Sequence, residues 1–376
     1  MSRVNFRRAT MVATAALCTA VVAACGNSES AQKDSSASFD PAVFPESAFS
    51  GLQGELTWYD SSGGLTTEAK DATVWKDFAD LTGVRARAEF TDGTSTKFRA
   101  AAESGQVPWN LIEFGTGGEY FQAAEAGLLA EIDTSVVPVD KLADASVDKY
   151  GIKVEDNGSV LVWNTEALGG KTPTSTADLF NTSEFPGKRC LYKYPVSAGT
   201  LEVALLADGV PADAMYPLDV DRALAKLDTI KADTVWWESG STVIQLLNNG
   251  ECAMGMVWTG RVYDAIVNQG LPLDFTWSGG LTTAAYFAVP KDAPEPKTGM
   301  AAMAMWILDR EGQIGFVDKT TYTTAIEGLS NADYDEAVQP YVAAGDNITG
   351  TVSEDAQYYA KNLDAVSDAL ATFQAG

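Results

Sequence analysis

Short apolar runs alternate along the chain with helical stripes, and their order predicts strands that lead into helices. The run over 55–59 (ELTWY) stops at Asp60-Ser61-Ser62-Gly63-Gly64. The spacing after it predicts a helix over 67–81, with Val74, Phe78 and Leu81 on one face and Gly83 as its stop. A strand over 84–90 and a capped helix over 94–104 follow. A third strand, 109–114, again ends in a glycine loop, Gly115-Thr116-Gly117-Gly118, before a helix over 119–126. This strand–loop–helix repetition predicts a parallel sheet with right-handed crossovers.

A second series begins with a strand over 159–163 and a short capped helix over 174–179. It continues with a strand over 189–194, helices over 199–207 and 219–230, and Val235-Trp236-Trp237 leading through Glu238-Ser239 into a helix ending at Asn248. If 235–237 is a strand, Trp236 and Trp237 point to opposite faces and one of them is buried. The next strand, 252–258, reaches a Thr259-Gly260 turn and a helix from Arg261 to Asn268, with Trp258 at the rim. Strands over 274–277 and 284–290 flank Ser278-Gly279-Gly280. Met300, Met303 and Trp306, in a helix over 298–308, read as core. Leu363, Val366, Leu370 and Phe373 form a terminal helical stripe. Pattern alone leaves open whether 284–290 extends the second sheet or returns to the first.

The N-terminus adds an address. Arg3, Arg7 and Arg8 precede an apolar run over 11–24 that ends in Val22-Ala23-Ala24-Cys25. That reads as a signal peptide over 1–24. Its end resembles a bacterial lipobox, in which Cys25 carries a diacylglycerol; the alternative is an ordinary secretory signal with a chance cysteine. Residues 25–50 read as a tether. No later run approaches the roughly 18 apolar residues of a spanning helix.

Charge and chemistry narrow the classes. With 51 acidic and 26 basic residues, net charge −25, the chain is a poor ligand for nucleic acid. It contains no histidine, which removes Ser-His-Asp and Cys-His centres and His-bearing zinc sites. No G-x-S-x-G, P-loop or G-x-G-x-x-G occurs. No catalytic residue, metal or cofactor is therefore expected. Cys190 and Cys252 lie near the starts of two buried strands. They are within disulfide reach if those strands are parallel neighbours, and otherwise are buried thiols.

In open α/β sheets ligands bind beyond the carboxyl ends of the strands. That rule selects Asp60, Ser61, Ser62, Gly115 and Thr116 in the first series. In the second it selects Ser197, Thr200, Trp237, Glu238, Ser239, Trp258 and Arg261. Helix capping uses the same small polar types, so each Ser, Thr and Asp has that competing reading.

Several runs together resemble one family: the lipobox, VLVWNTEAL over 160–168, FPGKR over 185–189, GECAMGMVWTG over 250–260, and Gly279-Gly280 with AVP over 288–290. They are similar to extracellular substrate-binding proteins of ABC importers, in particular the spermidine/putrescine-binding branch. The resemblance implies an α/β, two-lobed periplasmic-binding-protein-like fold of type II. Each lobe is then a mixed, mostly parallel sheet flanked by helices, and two strands cross between the lobes as a hinge. Lobe one is expected at 51–158 plus 281–318, and lobe two at 159–280 plus 319–376. Cys190 and Cys252 then fall on adjacent strands of lobe two.

The resemblance also implies function: a lipid-anchored monomer that is not an enzyme, takes a small polar ligand into a closing cleft and passes it to a membrane permease. Trp258 matches the Trp of the family's Met-x-Trp-x-Gly element. Tyr322 matches a tyrosine after the second return, and Thr283 stands where polyamine binders carry a Trp-x-Asp element. A polyamine is the ligand implied by resemblance. The residues present also suit others: glycine loops, hydroxyls and Arg261 suit a carboxylate or phosphonate, while Glu113, Glu238 and Asp264 suit an amine. A zwitterion would satisfy both sets.

Overall fold

The computed structural model describes residues 41–91 and 95–376. The signal segment, Cys25 and the first part of the tether lie outside the described residues. Residues 41–50, placed within the expected tether, are folded. A short helix α1 (Glu46–Phe49) puts Phe49 against Phe44 and Phe78, with ring centres 5.5 and 6.4 Å apart. Those rings leave water by joining the first core.

The strands are β1 (Glu55–Asp60), β2 (Arg85–Phe90), β3 (Leu111–Phe114), β4 (Gly151–Asn164), β5 (Lys188–Tyr192), β6 (Thr234–Trp237), β7 (Cys252–Trp258), β8 (Leu273–Ala288), β9 (Thr323–Thr324) and β10 (Val352–Ser353). They form one connected sheet in the order β2-β1-β3-β8-β4-β7-β5-β6, with β10 on β8 and β9 on β4. The β2-β1-β3 and β7-β5-β6 groups are parallel. Between them the long strands β4 and β8 pair antiparallel. These are the two crossings, and they divide the sheet into two halves.

Helices flank both halves. The first carries α2 (Leu65–Ala72), α3 (Val74–Thr82), α4 (Thr96–Glu103) and α5 (Gly117–Glu125). The second carries α6 (Thr200–Ala207), α7 (Val220–Asp228), α8 (Gly240–Asn248) and α9 (Thr259–Tyr263). The chain then returns through β8 to the first half with α10 (Pro296–Leu308) and α11 (Arg310–Thr320), and ends in α12 (Ala356–Ala375). Strand alternation sorts the cores. Leu161 and Trp163 of β4 enter one cluster and Val160 and Val162 the cluster on the other face. Met300, Met303 and Trp306 are buried in the first core. The stretch after 319 serves both halves: Tyr334, Val338 and Val342 pack in the first core, Val366 and Leu370 in the second.

Several elements differ from the pattern reading. The helix expected over 67–81 breaks at Thr73, whose hydroxyl donates to the Ala69 carbonyl at 2.7 Å and competes with the backbone ladder. The strand expected from 159 begins at Gly151, because the polar run Lys153 to Asn157 hides it. Strands 274–277 and 284–290 are one strand that bends at Gly279, φ 74°. The bend faces the register break in β4 between Ser159 and Leu161. Thr259 and Gly260 are helical rather than a turn. A disulfide joins Cys190 to Cys252 across the parallel β5–β7 pair, Cα to Cα 5.7 Å.

Candidate ligand-binding cavity

A cavity of about 540 Å3 opens where the carboxyl ends of β1, β3, β5, β6 and β7 converge, with α12 along one side. Of the residues selected from sequence, Ser61, Ser62, Gly115, Thr116, Ser197, Glu238, Ser239, Trp258, Arg261 and Tyr322 line it.

The wall from the first half is built by backbone capture. Asp60 is buried and accepts the N–H groups of Ser62 and Gly63, at 2.9 and 3.0 Å, and the Thr67 hydroxyl. It folds the loop and does not line the cavity. Ser61 is thereby turned in, and its buried hydroxyl has no hydrogen-bond partner. Thr116 caps α5. Beneath the loop, Ser62 donates to Glu113 at 3.0 Å, and Glu113 pairs with Lys70, which also faces Glu155 at 3.7 Å. Burial would lower the Lys70 pKa, but these two carboxylates outweigh it and hold it at about 12. Glu113 is thus committed to Lys70 and is not a cavity residue.

The wall from the second half is aromatic. Trp258 meets Tyr192 edge-on at 5.2 Å and Trp237 at 4.9 Å. Trp237 is the buried member of its pair and supports Trp258 from behind without lining the cavity. The Trp258 indole donates to both the carbonyl and the hydroxyl of Ser197, at 3.1 Å each. Thr200 is buried and donates to the Tyr192 carbonyl at 2.8 Å, so it caps backbone and faces away from the cavity. Thr283 is buried opposite Asn157 in the β4–β8 ladder, and it is Asn157 that reaches the cavity. Asp264 binds Asn268 and Gln269 outside it. Glu238 stays at the rim, 63% exposed and paired with Lys193.

Arg261 spans the two walls. A Cβ on Gly240, the first residue of α8, would lie 2.8 Å from its Cγ, and one on Gly64, which precedes α2, would lie 3.5 Å from its Nη2. The guanidinium therefore lies against two helix N-termini, the positive ends of both dipoles. Among the described residues it makes no ion pair or hydrogen bond. A cation held there lacks a counter-charge, and an anion placed beside it would meet a guanidinium and free backbone N–H groups together. Tyr322 adjoins it; burial pushes its phenol up to about 12, against the Arg261 charge.

Sequence reasoning missed Tyr192, although the strand-end rule that selected Trp258 applies to it equally. It also missed Asn157, hidden in the polar half of β4, and Leu363, Asp364 and Ser367 of α12, which no local signal connects to the site. Among the described residues no cluster of three or more metal-ligating side chains occurs.

Comparisons with known proteins give the family and the fold. Residues 73–345 match the bacterial extracellular solute-binding protein family. A gamma-aminobutyric acid-binding protein of Pseudomonas aeruginosa is 33% identical over 240 residues, covering 62% of this chain and 67% of the relative. A solved GABA receptor structure superposes with TM-score 0.77 at 31% identity, covering 85% of this chain and 98% of that one. The binding protein AgtB of A. tumefaciens R10, solved with agropinic acid, gives 0.76 at 27% identity, covering 86% and 100%. The ligands named for these relatives lend no support to the polyamine implied by resemblance. Proteins of this kind hold a small molecule and deliver it to an ABC permease. The chain belongs to the bacterial extracellular solute-binding proteins, with the two-lobed fold and the binding role of that family.

Proposed function

We propose that the ligand is a small zwitterion of the amino-acid type, with GABA as the first member to test. The observation that carries this reading is Arg261, extended between the N-termini of α2 and α8 and, among the described residues, without an ion pair of its own. A ligand carboxylate beside it would receive two charge-assisted bonds. The Ser62 and Ser239 hydroxyls stand on the same two loops. An ammonium group would then face Tyr192, Trp258 and Tyr322, whose ring faces attract cations, with the Glu119 carboxylate on the opposite wall. Two relatives named for GABA support the same class.

The protein in this reading is a lipid-anchored monomer, held at the outer face of the membrane through Cys25, and it performs no chemistry on its ligand. The lobes, parted near residues 158 and 281, close by flexing of β4 and β8. Calorimetric titration of the mature protein with GABA, glutamate and methylphosphonate tests the ligand class. Saturable binding of one GABA per chain is expected. Saturation by methylphosphonate with no response to amino acids would replace the zwitterion by a simple anion, and conversion of any ligand would overturn the binder reading.

A further inference from the structure

Among the described residues, Ser197 is the one non-glycine residue in the cavity wall with a left-handed backbone, φ 75°. That conformation costs a residue with a Cβ about 1–2 kcal/mol and persists only where the surroundings fix it. Here four hydrogen bonds fix it. Its carbonyl accepts from the Ser159 hydroxyl at 2.9 Å and from the Trp258 indole at 3.1 Å. Its hydroxyl accepts from the same indole. Its N–H donates to Glu354 at 2.8 Å. Ser197 therefore orients the Trp258 ring, and Glu354 holds Ser197.

Glu354 arrives from the far end of the chain. It follows β10, its N–H donates to the Thr282 carbonyl at 2.8 Å, and the next residue, Asp355, caps α12. At the start of α12, Ala356 and Tyr359 press on Gly117 and Gly118 so closely that added Cβ atoms there would approach to 2.5 and 2.8 Å. The segment thus touches both walls: Gly117 and Gly118 follow Thr116 on one, and Ser197 lies on the other. Glu354 itself does not line the cavity.

We infer that Glu354 is a positioning residue of the ligand site, acting through the strained Ser197 backbone to set the Trp258 ring. This extends the reading of the cavity as the solute site, and the test separates the two. The first readout needs no ligand: the indole N–H resonance of Trp258 in the mature protein, assigned with Trp258→Phe. Glu354→Ala is expected to move or broaden it, and Glu354→Gln, which keeps an acceptor of the same length, to leave it in place. If Glu354→Ala does not fold, Glu354→Asp, which withdraws the acceptor by one methylene, is expected to move the same resonance.

The second readout is affinity for GABA. A loss of about tenfold is expected in Glu354→Ala, the scale of one hydrogen bond that orders a binding group, and near wild-type binding in Glu354→Gln. An unmoved Trp258 resonance in Glu354→Ala, or in Glu354→Asp where that variant is needed, overturns the inference. Equal damage from Ala and Gln overturns it too. If the wild-type protein does not bind GABA, the zwitterion reading fails while the indole readout still decides the role of Glu354.

Discussion

A guanidinium placed against positive helix ends is an unfavourable arrangement unless an anion completes it, and this makes Arg261 the most informative residue of the site. Replacing it by Ala removes the charged donor and is expected to weaken amino-acid binding by about 10- to 100-fold, the range for a hydrogen bond to a charged group. The melting temperature of the unliganded protein should stay unchanged or rise slightly, since the isolated cation is relieved. A matching loss of stability would mean that Arg261 is structural. At this scale the sequence was partly legible. Trp258 and Arg261 announced themselves at the end of an apolar strand. Asp60 and Thr200 did not separate from true lining residues, because a side chain that binds backbone and one that binds ligand are the same residue types at the same strand ends. Trp237 lies one layer behind Trp258, buried against its ring, so a strand-end position brought it to the site without putting it on the wall.

Among elements, α8 and the β5–β7 pair carry sharp expectations. Gly240 has ordinary helical entry geometry, so Ala is tolerated by the backbone there, but its Cβ would meet Arg261 at 2.8–3.2 Å. Gly240→Ala should therefore reduce ligand affinity several-fold with little change in the denaturation midpoint, separating binding from folding in one titration. The disulfide closes a loop of 62 residues, for which the chain-entropy account gives about 4 kcal/mol. Cys190→Ser with Cys252→Ser should lower unfolding stability on that scale, as should reduction of the wild type. The elements themselves were legible wherever apolar periodicity was clean, as in β7 and α10. β4 was half-hidden because Glu155 is buried inside it, a polar residue in a strand interior that only the distant Lys70 explains. The helix break at Thr73 and the role of α12 depend on a local side-chain bond and on long-range packing, neither of which has a periodicity.

For the whole molecule, buried acids set the pH response. Burial raises Asp309 to about 7 and Glu354 to about 8, in each case against a backbone N–H that favours the charged form. Both folded values exceed the unfolded ones, so the folded state binds more protons across this window. Their contribution is complete below about pH 4 and is lost as pH rises towards 7–8. Lys70, held at about 12, keeps its own contribution throughout and does not offset the trend. Denaturant midpoints should accordingly be higher at pH 5.5 than at pH 8, and Asp309→Asn should flatten the difference; a midpoint that rises with pH would contradict this. The two-lobed plan was legible only by resemblance, because pattern could not say where 284–290 goes; pairing of Phe287 with both Ile152 and Glu113 returns it to the first half. The central claim is that the cleft takes an amino-acid zwitterion through Arg261, and calorimetric titration of the mature protein with GABA beside spermidine tests it most directly. The account predicts a saturable heat for one GABA per chain, an affinity about 10- to 100-fold weaker in Arg261→Ala while the fold remains, and no heat from spermidine. Saturation by spermidine, or GABA binding that survives Arg261→Ala unchanged, would contradict it.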